Sequence, residues 1–256
     1  SFKGVMSFKY RIADADGTPG ATATDLATGN SAEMKAAVYL RTPDVPTDDL
    51  VPQQWYLTDA NVLPVWTDYS GKGVKIAQFE PGGPFSTGPE IFDYRHPDLQ
   101  ANADPEWLQG NLPQTFSNHA TLVAGVMVAA RNGEGAVGVA YDAKLSGHYI
   151  QGEGLEIPAL TAEVTAALAQ FKNYDVVNNS WGSETSFFIN VTPPGTIETG
   201  VLDAVANGRG GLGTAVVFGA GNDRATGGNS NYNTLTANRA TITVGAAQAI
   251  FEPACS

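Results

Sequence analysis

NHATLVAGVMVAARNGEGAVGVAYDAKL, residues 118–145, is the stretch on which the reading of the fold turns. Leu122 to Ala130 is apolar at nearly every position and rich in Ala and Gly, which predicts a helix packed on all sides. The Gly/Asn-rich segment Arg131 to Ala136 then reads as a loop, and the second apolar run as a strand. His119 opens the helix. Taken alone, a histidine there is either a half-buried structural residue or a catalytic base.

Working outward, composition narrows the function classes. The 256 residues are 43% hydrophobic and only 16% charged, which argues for a folded α/β domain with a sizeable core. The net charge of −12, from 14 basic and 26 acidic residues, opposes nucleic-acid and anionic-membrane partners. Cys255 is the single cysteine, so internal disulfides and cysteine-based zinc sites are excluded. No apolar run is long enough to span a bilayer. A first residue of Ser1 rather than Met leads us to expect a piece of a longer polypeptide.

Residues 1–42 differ in texture from the rest. Phe8, Tyr10 and Ile12 alternate with Lys9 and Arg11, and Asp16-Gly17 marks a turn, so a strand, a turn and a second strand are expected. This segment reads as a leader, a pro-segment or the tail of a preceding β repeat. Pro43 to Pro52 is a Pro/Asp-rich linker, and residues 43–256 form the main domain.

Within that domain, strands alternate with helical patterns: Val74–Phe79, Tyr174–Asn178, Thr214–Phe218 and Ala240–Ala246 are strand-like, and Val62–Trp66, Ile157–Lys172 and Val201–Asn207 helical. That order predicts a parallel sheet covered on both faces. Functional groups collect at the carboxyl ends of such strands, and here those ends carry Glu80, Ser180 and Asn222. A carboxylate, a histidine and an amide are the parts of an acyl-transfer site. The acid orients the imidazole, the imidazole takes a proton from a nucleophile, and the amide donates to the oxyanion.

The order of these parts resembles the subtilases, the subtilisin-like serine peptidases, and especially their kexin/furin-like branch. The likeness is carried by PQQWYL (52–57), NVLPVW (61–66), SGKGVKIAQFEPG (70–82), HPDL (96–99), NHATLVAG (118–125), AVGVAYDAKLSG (136–147), NSWG (179–182), VVFGAGN (216–222) and NYNTLTANRATITVGA (231–246). It implies a subtilisin-like three-layer α/β fold with a parallel sheet between helices, its C-terminal part missing. It also implies a serine endopeptidase in which Glu80 orients the imidazole, His119 is the base and Asn222 the oxyanion donor. Ser180, Trp181, Gly182 and Glu184 fall on the substrate-binding segment. The nucleophilic serine of the family sits in a Gly-Thr-Ser-x-Ala segment that these 256 residues do not contain. Ser256 and Cys255 lack its context, so this chain alone is expected to be inactive.

The resemblance further implies a structural Ca²⁺ held by Asp48, Asp98 and Asn132 with the carbonyls of Ala130, Glu134 and Ala136, hard oxygen donors that suit calcium. It implies polypeptide substrates, a secreted or cell-surface location and neighbouring domains in a larger surface protein. Departures are informative. Glu80 stands where the family has aspartate, and Ala120 where it has glycine. Thr185, Asn233 and Pro81 replace acidic residues that select basic substrates, leaving Glu184, so no strict dibasic preference is expected. A pseudoprotease that binds peptides is the rival reading. His96 and His148 are expected to be structural.

Overall fold

Pairing of two short runs builds an N-terminal unit: β1 (Gly4–Tyr10) lies antiparallel to β2 (Met34–Leu40), with Gly4 opposite Leu40 and Tyr10 opposite Met34. The structure is a computed structural model that describes residues 4–10, 34–40, 45–81, 89–151, 157–182 and 197–247. The Asp16-Gly17 turn lies outside the described residues. The chain divides into two compact units, residues 1–45 and 46–256.

The second unit begins with two short helices, α1 (Trp55–Asp59) and α2 (Val62–Val65). The run Lys75–Pro81 forms β3. Side chains alternate across a strand, so Ile76, Gln78 and Glu80 share one face of β3, and Ala77 and Phe79 the other. A short ladder joins β4 (Glu90–Ile91) and β5 (Thr115–Phe116). Then follow α3 (Asn118–Val128), β6 (Lys144–Ile150), α4 (Ile157–Leu168), β7 (Val176–Asn179), α5 (Glu198–Asn207), β8 (Ala215–Gly219) and β9 (Ile242–Val244). The five long-range strands form one parallel sheet in the order β6-β3-β7-β8-β9.

Each face of the sheet buries its own core. Ala77 and Phe79 pack with Val164, Leu168, Phe171, Val201, Ala204, Val216 and Phe218 under α4 and α5. Ile76 packs with Phe92, Leu99, Ala120, Ala124, Val128 and Leu145 under α3. This is the α/β layering expected of alternating strands and helices.

Three details correct the reading of the opening stretch and its neighbours. First, α3 is not buried all round. Ala120, Ala124 and Val128 face the sheet, whereas Leu122 is 73% exposed and Val126 47%. A helix lying on a sheet turns one stripe inward whatever the composition of its outer face. Second, the strand expected in the second apolar run begins only at Lys144, and the segment 137–143 ahead of it forms no strand. Its N–H groups at Gly138, Val139 and Ala140 donate to the carbonyls of Ala129, Val126 and Met127 at 2.9, 3.0 and 2.9 Å. The segment therefore closes the C-terminal end of α3, which otherwise leaves carbonyls unsatisfied. Third, β3 runs on through Glu80 to Pro81, past the expected end at Phe79. Pairing with β7 stops at Phe79, and only β6 continues alongside. Proline, which has no N–H to give, is tolerated where a ladder partner has already ended.

Candidate functional site

Register places the polar strand ends side by side. Phe79 pairs with Asn179 and Asn179 with Phe218, so the next residues, Glu80, Ser180 and Gly219, form one edge of the sheet. α3 approaches that edge with its N-terminus. Its N-cap is Ser117, whose Oγ accepts the Ala120 N–H at 3.2 Å. The cap fixes where the helix starts, and His119 consequently sits in the first turn above Glu80.

Glu80 is buried and His119 is not: the imidazole side chain is 59% exposed. His119 Nε2 lies 3.5 Å from Glu80 Oε2 and 3.2 Å from the Ser180 carbonyl oxygen. A carbonyl only accepts, so Nε2 carries the proton in the neutral ring and the lone pair lies on Nδ1. Burial raises the Glu80 carboxyl from its ordinary range to about 7, opposed by hydrogen bonds from Gln78 and the Ser180 main chain. Desolvation thus brings the titration of the Glu80 carboxyl close to neutral pH.

His119 opens on a cleft of about 550 Å³ that is also lined by Ser180, Trp181, Gly182, Asn222 and the β8–β9 edge. Asn222 follows β8 and precedes a helical turn at Asp223–Thr226 that its side chain does not cap. The Trp181 indole donates to Asn179 Oδ1 at 3.2 Å and packs edge-on against Phe218, which fixes one wall. Gly182, Gly219 to Gly221 and Asp223 also line a neighbouring cleft of about 700 Å³ that reaches Arg224, Ser230 and Asn233. Among the expected residues, His119, Ser180, Trp181, Gly182 and Asn222 thus meet in one cleft, and Glu80 backs it. Glu184 and Thr185 lie outside the described residues.

A second convergence involves the loop after α3. Asp48 Oδ1 accepts the N–H groups of Asn132 and Gly133 at 2.9 and 2.8 Å. Asp98 Oδ2 accepts the Ala136 N–H at 3.1 Å, and its Oδ1 is 3.4 Å from Asn132 Nδ2. The Ala130 N–H donates to the Asp98 carbonyl at 2.7 Å, and the Glu134 N–H to Asn132 Oδ1 at 2.9 Å. Gly135 adopts φ +65, and a Cβ there would come within 2.1 Å of Asp98 Oδ2, so only glycine lets the loop close on this carboxylate. Asp48 Oδ2 is buried without a hydrogen-bond partner. Among the described residues no group of three or more His, Cys, Asp or Glu side chains is placed to hold a metal.

Two buried glutamines escaped the sequence reading. Gln54 Nε2 donates to the Val137 carbonyl at 2.9 Å and Gln54 Oε1 accepts the Val137 N–H at 3.0 Å, which ties the start of the domain to the loop. Gln78 lies between Glu80 and Ala120. Its signal was visible: a polar residue inside the apolar run Val74–Phe79, two residues before the acid and therefore on its face.

The other two histidines serve the scaffold. His96 Nδ1 accepts the Asp98 N–H at 3.2 Å in a turn. His148 Nε2 lies 2.7 Å from Tyr174 Oη, and its ring stacks on Phe79. Asn178, in a strand, donates to Ser180 Oγ at 2.9 Å.

Comparison with known proteins bears on this arrangement. The sequence profile of the subtilase family matches residues 87–252, a span that includes His119, Ser180 and Asn222 and starts after Glu80. A dibasic-processing endoprotease of Yarrowia lipolytica is 30% identical over 210 residues, 76% of this chain and 20% of that protein. Furin of Homo sapiens is 31% identical over 201 residues, 69% of this chain and 23% of that protein. Among solved structures, fervidolysin from Fervidobacterium pennivorans matches with a TM-score of 0.48 and 22% identity over 72% of this chain and 27% of that one. The chain spans about a fifth to a quarter of the length of the curated relatives it matches.

Proposed function

This chain belongs to the subtilase family, and we propose that it supplies the acid, the base and the oxyanion donor of a serine endopeptidase. The carrying observation is that exposed His119, backed by buried Glu80, faces the same cleft as Ser180 to Gly182 and Asn222. In the reaction, a serine from outside these 256 residues attacks the peptide carbonyl as the imidazole takes its proton. Glu80 stabilises the imidazolium, and the Asn222 amide donates to the oxyanion. Glu80 must be ionised for this, so activity rises as pH climbs through about 7.

The departure from aspartate and the 3.5 Å gap to His119 also support the rival reading of a peptide-binding pseudoprotease, and one experiment separates the two. Full-length polypeptide is expected to label with a serine-directed fluorophosphonate and to cleave peptide libraries, and both are lost in His119→Ala. A folded full-length protein that never labels overturns the peptidase reading. Such libraries should show no enrichment for Lys or Arg. Among the described residues, the cleft beside Asn222 offers one acid, Asp223, against Arg224, and Asn233 Oδ1 is taken by the Leu235 N–H at 2.9 Å.

We also propose a structural Ca²⁺ at the loop around Asp98, with Asp48, Asp98 and Asn132 as side-chain ligands and carbonyls of Ala130, Glu134 and Ala136 completing the set. The orphaned Asp48 Oδ2 supports this, since a buried unpaired carboxylate oxygen is costly unless a cation compensates it. Bound there, the ion lends stability: chelation by EGTA should lower the melting temperature by several degrees, and Asp48→Asn should remove the dependence. An unchanged melt would count against the site. We assign the protein to the secreted or surface class on family grounds; among the described residues no helix is long and apolar enough to cross a membrane.

A further inference from the structure

We propose that Gln78 is a positioning residue: its side-chain amide ties the Glu80 carboxyl to the first turn of α3 and so sets the spacing between Glu80 and His119. Gln78 is 1% exposed and lies on β3 between Ile76 and Glu80, on the face that α3 covers. Its Nε2 donates to the Ala120 carbonyl at 2.9 Å and to Glu80 Oε1 at 3.3 Å. Both donors of one amide are thereby spent on two acceptors, one on the acid and one on the residue after the base. The reverse orientation of the amide would aim an oxygen at two oxygens, so the environment dictates which way it points.

Its cost supports the assignment. Gln78 Oε1 is buried with no hydrogen-bond partner, and an apolar side chain of similar length would avoid that penalty. Filling space under α3 does not require an amide; holding a carboxylate does. The contact also explains how a glutamate works in this place. The longer side chain leaves the carboxylate with more freedom, and Gln78 removes it by fixing Oε1 while Oε2 faces Nε2 of His119. Among the described residues, Glu80 meets His119 from α3, Gln78 from its own strand and the Ser180 main chain beyond β7, and its register partner on β6 is Tyr149.

That the positioning serves catalysis rests on the peptidase reading, but its test needs no turnover. In the intact chain, ¹³C NMR of Glu80 Cδ and ¹⁵N NMR of the Gln78 side-chain amide are followed across pH 5–9. We expect the amide protons to shift with the same midpoint as Glu80. In Gln78→Met, which keeps the volume and loses the donors, the Glu80 midpoint is expected to move up by about one pH unit. A flat Gln78 amide, or an unmoved Glu80 midpoint in folded Gln78→Met, overturns the proposal. Should Gln78→Met not fold, the amide titration of the unaltered chain decides. Coupled titration in a protein that never labels with fluorophosphonate would sink the peptidase reading and leave the Gln78–Glu80 contact standing.

Discussion

His119 and His148 stand on opposite sides of β3 and show how environment divides one side-chain type between two jobs. His119 is exposed on α3 and meets a buried carboxylate at 3.5 Å. His148 is stacked on Phe79 and bonded to Tyr174 Oη at 2.7 Å. Burial pulls the His148 imidazole down to about 4 and pushes Glu80 up to about 7. The same desolvation thus keeps a scaffold histidine neutral and poises an acid near physiological pH. On the proposed reading the base has to reach solvent and substrate, whereas a packing ring has to avoid charge.

Substitution at the two histidines breaks this comparison most strongly. In the full-length protein, His119→Ala is expected to lower peptide hydrolysis by about 10⁴-fold or more while leaving stability nearly unchanged. His148→Ala should do the reverse, costing about 2–3 kcal/mol of stability through lost stacking and the lost hydrogen bond to Tyr174, with activity per folded molecule retained. Kinetics paired with urea unfolding check both, and equal loss of activity in the two variants would erase the distinction.

The pH dependence of stability sharpens it. Glu80 has a folded pKa raised above its unfolded value, so its contribution is fully present below about 4.5 and is lost as pH rises through about 7. His148 has a depressed folded pKa, so its contribution is present above about 6.5 and is lost as pH falls through about 4. Each amounts to about 3 kcal/mol in opposite senses, and the two slopes cancel between roughly pH 4.5 and 6.5. Glu80→Gln should unmask the acid-side loss, and His148→Phe the loss toward neutral pH. Urea midpoints at a series of pH values that stay parallel to those of the parent chain would refute the opposing pair.

The smallest effect concerns the elements that carry the two rings. β6, at the sheet edge, still buries Leu145 and Ile150, but the outer face of α3 is open, so Leu122→Gln is expected to change stability by less than about 0.5 kcal/mol. A large loss in a thermal melt would mean that this face is covered in solution.

Several of these features were legible in the residues. The apolar run Val74–Phe79 ending in Glu80, the histidine before a small-residue helix and Gly221-Asn222 after a strand were recognisable because period and composition report which face of an element is apolar. They also report where a strand yields to a turn. The start of the strand after the loop was misread for the same reason. Apolar composition is equally consistent with a strand and with a segment whose N–H groups close a helix end, and only the partner carbonyls of Val126, Met127 and Ala129 decide between them.

By itself, then, the sequence determined the order of acid, base and amide, the α/β class and the family. Only the tertiary structure decided that Glu80 and Ser180 meet the same nitrogen of His119, that Gln78 spans Glu80 and Ala120, and that Asp48 reaches the loop before Gly135. The reason is physical. Periodicity along a chain encodes burial, which is non-directional, whereas hydrogen bonds and ion pairs depend on distances and angles between atoms that the chain brings together only after the sheet has assembled.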